Sequence, residues 1–395
     1  MTKQFLSFVV LFVSFVGAFP LSAMETDQYN LPPTPLVDIA PEVEAYVADN
    51  IRSAIDDLNS EIAKHEACTG GQASLAGTVN ASSAVARSNG DSAESGETDE
   101  DARAPECRSV DKERAKLLKL RSPEAIAKAV YQRLGSGSVF TTKTGKWLNS
   151  HKFDHEPSRY KADFTQSIYW ERPINYATLS PTIKMYGVEF GTDKLDHLFQ
   201  QGYTYYRKYN AALQEGKSEA DAIKAAVSWG RSTENLFYGY VVSGVYSNAD
   251  LAANLAGAKF YQNLTGDIQL GGTTKPSILT LSNGRWIFVR SFIIDGVSGE
   301  PNSILGPLVT DHLNEALNPS NYLPLLYKIV KSTVKKRACS EWRAAFPTLT
   351  RYDLAKRTDT LTTWDGLDYG YKKTSRQVRL DEVCFYDPRD PMIKN

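Results

Sequence analysis

Export is the constraint that most limits what this chain can fold into. Lys3 gives a short basic start, Phe5 to Phe19 is almost wholly apolar, Pro20 breaks the run, and Leu21-Ser22-Ala23 ends on a small residue suited to cleavage. These are the three parts of a secretory signal. An apolar run of roughly 15 residues is shorter than the ~20 that a bilayer-spanning helix needs, although an uncleaved N-terminal anchor is the competing reading. The sequence therefore predicts residues 1–23 as a signal peptide and a periplasmic or secreted mature chain. No Cys follows the apolar run, which argues against a lipid anchor, and no later stretch predicts a transmembrane span in the mature form.

Export also sets the redox chemistry. The chain has four cysteines, Cys68, Cys107, Cys339 and Cys384. An even number in an exported protein points to two disulfides. Of the three pairings, Cys68–Cys107 with Cys339–Cys384 is favoured, because each pair brackets one local segment. No CxxC or Cys/His spacing suggests a structural zinc site. With 45 basic and 46 acidic residues the balance is near neutral, which gives no support to nucleic-acid binding.

Periodicity predicts a mainly α fold, a central helical bundle with a small late β-hairpin. An extended, Pro-rich segment spans 24–41. A helical hairpin follows over 42–135, its first helix carrying Val43, Val47, Ile51, Ile55, Leu58 and Ile62 at helical spacing and ending near Cys68. Its second helix is expected from about Asp111 to Leu134. Between them, 69–105 is Gly, Ser, Ala, Asp and Glu with almost no large apolar residue. Such a stretch buries too little surface to offset its ordering entropy, so a disordered insertion is expected there. Residues 136–334 form the main helical domain, with three helices over 192–266 and a hairpin over 277–293 turning at Asn283-Gly284. Leu305 to Val334 reads as largely helical, and 335–395 as an irregular segment tied back by Cys384.

The chemistry concentrates in the three helices. The first starts at Thr192, read as its N-cap, and puts Asp193 and His197 four residues apart on one face. The second starts near Ser218, with Asp221 completing a capping box. Its apolar stripe, Ile223, Ala226, Val227, Gly230, Phe237 and Val241, contains Glu234. A carboxylate on a buried face must be paired, hydrogen-bonded, metal-bound or protonated. The third starts at Ser247 and presents Asp250, Asn254 and Gly257 together, among small residues that let another helix approach closely. Asp193, His197, Glu234, Asp250 and Asn254 could converge as ligands of a divalent metal. They could equally form an acid–base site in which His197 and Glu234 are the catalytic pair. The bland accounts are local: Asp193 suits a helix start, Ser247 and Asp250 read as a capping box, and His197 could be a satisfied core histidine.

This block resembles the VanZ-like and YfiM-like envelope proteins of bacteria, over residues 192–258. Their pattern is Asp-Lys-x-x-His-Phe, a Glu on the next helix, then Ser-x-x-Asp-x-x-x-Asn-x-x-Gly. Here it reads Asp193-Lys194-Leu195-Asp196-His197-Leu198-Phe199, Glu234, and Ser247, Asp250, Asn254 and Gly257. The Phe is displaced by one position. VanZ-like proteins carry these helices in the membrane and YfiM-like ones are small lipoproteins, and this chain has neither feature. The resemblance implies an association with the cell envelope, with a lipid or cell-wall component as partner.

Other motifs are weaker. His151 and His155 are four apart, but Pro157 follows at once, and a solvated polar turn is expected. His312 beside Asp311 is a lone pair near a helix. There is no Gly-x-Ser-x-Gly elbow, phosphate loop or dinucleotide fingerprint. Two classes remain: an envelope hydrolase acting on a phosphorylated or lipid-linked compound, and a non-enzymatic envelope protein whose polar cluster fixes helix packing.

Overall fold

The computed structural model describes residues 25–76, 107, 109–137, 141–236, 239–289 and 303–386. The expected signal peptide, and residues 77–105 of the expected insertion, lie outside them. The chain is mainly α, with short strands in two-stranded pairs.

The N-terminal segment is buried from its first described residue, Glu25. Strand β1 (Glu25–Thr26) lies against the later core, and α1 (Ala40–Ala76) follows. The apolar stripe of α1 is buried as its spacing requires, with Val43, Val47, Ile51 and Ile62 fully inaccessible. The helix does not end at Cys68 but continues to Ala76. The expected second helix is two: α2 (Val110–Leu120) and α3 (Pro123–Leu134). Pro123 cannot donate to a continuing ladder and biases Ser122 away from helical geometry. Ser122 instead caps α3 by accepting from the Ala125 N–H.

A short α4 (Lys143–Ser150) stacks Trp147 on Tyr46 of α1, with ring centroids 4.1 Å apart. Then come α5 (Pro173–Ala177), β2 (Leu179–Ser180), β3 (Thr182–Met185) and β4 (Val188–Gly191). β2 pairs in parallel with β1, so Glu25 and Thr26 are laid beside the entrance to the central bundle.

That bundle contains the three expected helices. The first is composite: α6 (Asp193–Asp196) runs through a π-helical turn, His197–Gln201, into α7 (Gly202–Gln214). Thr192 is helical and makes no side-chain cap, contrary to its expected role. The second is α8 (Glu219–Leu236), capped by Ser218 through the Asp221 N–H at 3.2 Å. It stops before Val241, which is exposed rather than part of the buried stripe, and Phe237 lies outside the described residues. After β5 (Val245–Tyr246) comes α9 (Asn248–Asn263), buried almost all round. An Ala- and Gly-rich surface lets neighbours pack on every side of it. Gly202 and Gly257 mark the closest crossing, since a Cβ on Gly257 would lie 2.0 Å from the Leu198 carbonyl oxygen.

Two hairpins follow, β6 (Ile268–Leu270) with β7 (Thr273–Lys275), and β8 (Leu279–Ser282) with β9 (Arg285–Phe288). Asn283 and Gly284 both have positive φ, as the expected two-residue turn requires. Residues 305–323 are not helical beyond two 3₁₀ turns. Their backbone is held by local side chains such as Asn314, whose carboxamide oxygen accepts from the Ala316 and Leu317 N–H groups. β10 (Asn321–Tyr322) then pairs with β5.

The C-terminal segment is more ordered than its composition suggests. After α10 (Pro324–Thr333), which is the helical part of the stretch expected to be helical from Leu305 to Val334, it holds α11 (Cys339–Ala345), α12 (Arg351–Thr360) and α13 (Leu380–Val383). A capping box, Thr350 with Asp353, starts α12. Both expected disulfides are present, Cys68–Cys107 and Cys339–Cys384. The second belongs to a separate core in which Trp342 donates to the Tyr29 carbonyl oxygen at 2.9 Å, so the C-terminal helices clamp the N-terminal segment. Among the described residues no helix is long and apolar enough to cross a membrane.

Candidate functional site

Two of the expected residues, Asp193 and Asp250, meet around a lysine that carries no role in the expected site. Lys194 is fully buried, and its ammonium donates to Asp193 Oδ2 at 2.6 Å, Asp250 Oδ1 at 2.6 Å and Glu315 Oε1 at 2.5 Å. An ammonium has three protons, so all three are used. Asp193 is held on its other side by the Thr26 hydroxyl at 2.8 Å. The small Gly191 is required there, because a Cβ would lie 1.7 Å from that hydroxyl oxygen.

His197 sits at the outer edge. Its Nε2 is 3.3 Å from Asp250 Oδ2 and its Nδ1 is 3.1 Å from Asn254 Oδ1. An imidazolium satisfies both acceptors; a neutral ring satisfies them once the Asn254 amide presents its NH2 group. The His197 side chain is 15% exposed, against 4% for Asp250 and 0% for Lys194. The order from solvent inward is therefore imidazole, carboxylate, ammonium. The π turn that begins at His197 shifts the backbone register, and the Phe199 carbonyl oxygen accepts from the Tyr261 hydroxyl at 2.8 Å.

Ser247 caps α9 through the Asp250 N–H, as expected, but the reciprocal half of the capping box is absent. The Asp250 carboxylate faces Lys194 and His197 instead. Glu234 supplies the missing acceptor, taking the Ser247 N–H on Oε1 at 2.9 Å. It is thus hydrogen-bonded, one of the four states open to a buried carboxylate. Gly239 makes room for it, since a Cβ there would lie 2.6 Å from Glu234 Oε1.

The electrostatics follow from burial. Burial pushes the Glu25 carboxyl well above the ordinary range, reinforced by Glu315 and Asp250. It does the same for Glu234, with Asp250 adding to it. Glu315 is pushed up to about 8 by burial, despite the Lys194 charge. Burial alone would raise Asp193 too, but the Lys194 charge and hydrogen bond outweigh it and hold Asp193 below its usual value. Lys194 itself is raised, because burial is overcome by Asp193, Asp250 and Glu315. The centre is accordingly an ammonium beside an Asp193 held in its ionised form, ringed by glutamates whose burial favours their protonated form. Asp196, on the far side of α6, accepts from the Thr142 N–H and hydroxyl and is raised to about 6, chiefly by burial.

Among the described residues, the group whose oxygens could hold a metal is Asp193, Asp250 and Glu315, with ligand atoms within 4.8 Å of one another. Glu315, not Glu234, completes it. Those same oxygens are bound by Lys194, whose ammonium stands where a cation would. His197, Glu234 and Asn254 from the expected ligand set are outside that group.

Sequence reasoning did not find Glu315, Glu25 or Thr26. Glu315 lies in an irregular segment and Glu25 immediately after the expected cleavage site, where no periodicity marks a residue as buried. Lys194 had a signal: it is itself a named position of the pattern, directly after Asp193. His151 pairs with Glu42 at 3.0 Å and stacks on Trp147, while His155 is exposed. His312 donates from Nε2 to the Thr363 carbonyl oxygen at 2.8 Å and shares a hydrogen bond with the Thr310 hydroxyl through Nδ1.

No protein-family model, curated protein or solved structure matches this chain.

Proposed function

We propose that this is an exported cell-envelope protein in which His197 is the proton-exchanging group of an acid–base site acting on a phosphorylated or lipid-linked envelope compound. The observation that carries the reading is the inward line of His197, Asp250 and Lys194, with His197 alone of the three partly open to solvent. A carboxylate behind an imidazole fixes its tautomer and stabilises its protonated form. Lys194 in turn fixes that carboxylate. The acid–base version is favoured over a metal-dependent one because the ammonium already neutralises the oxygens that a divalent ion would need. The resemblance to VanZ-like and YfiM-like proteins supports the envelope setting and the choice of residues.

The test is turnover of a polyprenyl diphosphate and of a chromogenic phosphate ester by the chain from residue 24, with chelator present. His197→Gln is expected to lower the rate by about 10²–10⁴ while the fold is kept. Equal rates in both proteins, or none in either, would overturn the reading.

The complete burial of Lys194 favours a second reading, in which the network only fixes helix register. It predicts a large stability loss in Lys194→Met and no turnover by the parent chain.

A further inference from the structure

Three stretches of chain, 170–174, 241–242 and 323–325, bring large apolar side chains to the surface around α10. Leu323 and Leu325, at the start of that helix, are 41% and 68% exposed. The Leu323 N–H donates to the Gly244 carbonyl oxygen at 2.8 Å, which fixes the preceding turn and its exposed Val241 and Val242 beside them. Ile174 is 66% exposed, and its neighbour Asn175 donates to the Ser243 carbonyl oxygen at 2.8 Å, tying α5 to the same turn. At the other end of α10, the part-exposed Trp170 donates from its indole to Thr333 Oγ1 at 3.2 Å. Single exposed apolar residues need no explanation, but a contiguous set does.

The exposed stripe of α10 changes character along its length. Leu325 is followed at helical spacing by Lys328, Lys331 and Lys335, all exposed. From Lys328 to Arg337 the chain has five cations and no acid. Arg337 lies over the Trp170 ring, 5.4 Å from its centroid.

We propose that this face docks on an anionic lipid bilayer. The apolar knuckle of Val241, Val242, Leu323 and Leu325 enters the acyl boundary, Trp170 sits at headgroup depth, and the lysine stripe meets lipid phosphates. Apolar side chains rimmed by lysine with a tryptophan at the margin are what an interfacial surface requires. A protein partner would more often meet a patch depleted of lysine. The surface does not include His197, so the proposal does not rest on the acid–base reading.

The test is co-sedimentation of the chain from residue 24 with vesicles of phosphatidylcholine alone or with one-quarter phosphatidylglycerol. Binding is expected only to the anionic vesicles at low salt, weakening as salt is raised. Lys328→Gln/Lys331→Gln/Lys335→Gln should lower the partition coefficient by about two orders of magnitude. Val241→Glu/Leu325→Glu should lower it comparably; both sets are at exposed positions, and circular dichroism checks the fold. His197→Gln should bind as the parent does, so loss of turnover and loss of binding are separable. No binding to anionic vesicles at low salt, or binding unchanged in both sets, overturns the proposal. So does lipid-free dimerisation abolished by Leu325→Glu with vesicle binding intact, which would assign the face to a second copy of the chain.

Discussion

Replacing Lys194 with Met isolates the electrostatic core of the molecule. The side chains are similar in length, so the change removes the ammonium and little volume. It strands Asp193, Asp250 and Glu315, each of which had accepted one of its protons at 2.5–2.6 Å. Breaking a buried ion pair by removing one partner costs about 3–5 kcal/mol, and here one cation serves three carboxyls. Against a typical total of about 5–15 kcal/mol, that is roughly a fifth or more of the fold's stability. The stranded groups can escape only by taking up protons, which costs about 1.4 kcal/mol per pH unit for each group above its folded pKa. Asp193, whose pKa the lysine holds down, contributes stability above its unfolded pKa that is lost as pH falls through the folded one. In Lys194→Met that contribution is gone and the remaining carboxyls titrate high, so the gap between variant and parent should widen as pH rises. Urea titrations followed by circular dichroism at pH 5.0 and 7.5 measure it, with disulfides intact. We expect a deficit of about 4 kcal/mol at pH 7.5 that is clearly smaller at pH 5.0. Adding Asp193→Asn and Asp250→Asn should recover much of it. A variant as stable as the parent at pH 7.5, or a deficit that does not change with pH, would refute the assignment of Lys194 as the neutralising charge.

Four further outcomes follow from the same geometry. Gly257→Ala places a methyl group 2.0 Å from the Leu198 carbonyl oxygen, so α9 must separate from the segment carrying His197, with an expected loss of about 1–3 kcal/mol in a urea titration. Glu234→Gln keeps the acceptor for the Ser247 N–H and should cost little, whereas Glu234→Ala orphans that donor and should cost about 1–3 kcal/mol in the same assay. The parent chain should lose stability from pH 5 to pH 8, because Glu25, Glu234 and Glu315 have raised folded pKa values and the stability tied to their protons is lost as pH climbs; Glu315→Gln should flatten that slope in thermal melts. Removing the Cys339–Cys384 bridge as a double Ala variant should cost about 4 kcal/mol for a loop of 45 residues, read as a lower urea midpoint.

What could be read from the sequence and what could not divide along physical lines. Helix α9 and the β8–β9 turn were legible because their determinants are local: small residues and a capping Ser in one, two residues suited to positive φ in the other. The break at Pro123 is equally local, but the apolar period continues in phase across it and masks it. The stretch from 305 to 323 carries a helix-like apolar pattern, yet Asn314 and its neighbours satisfy the backbone by side-chain bonds and the chain never enters a helix. Periodicity reports which residues are buried, not which of two competing hydrogen-bond schemes the backbone takes.

The candidate site makes the same point with more at stake. Asp193, Asp250 and His197 were identifiable because they recur at helical spacings, and the structure does gather them. Glu315 comes from an irregular segment, 121 residues along the chain from the Lys194 it binds, and Thr26 lies 167 residues before the Asp193 it holds. No local pattern encodes either contact. The consequence is chemical as well as topological. Three acidic groups read along helices look like a metal site, because the sequence shows anions and hides their counter-charge. Lys194 lies between two members of that very motif, and its position on α6 turns it inward rather than toward water. Once the lysine is counted, the anions have a cation and the one polar group left facing solvent is His197. The metal question then becomes a question about Lys194: a divalent ion can enter this triad only where that ammonium has been removed. Lys194→Ala, which also opens space between oxygens within 4.8 Å of one another, should gain a calcium-dependent rise in melting temperature that the parent chain lacks.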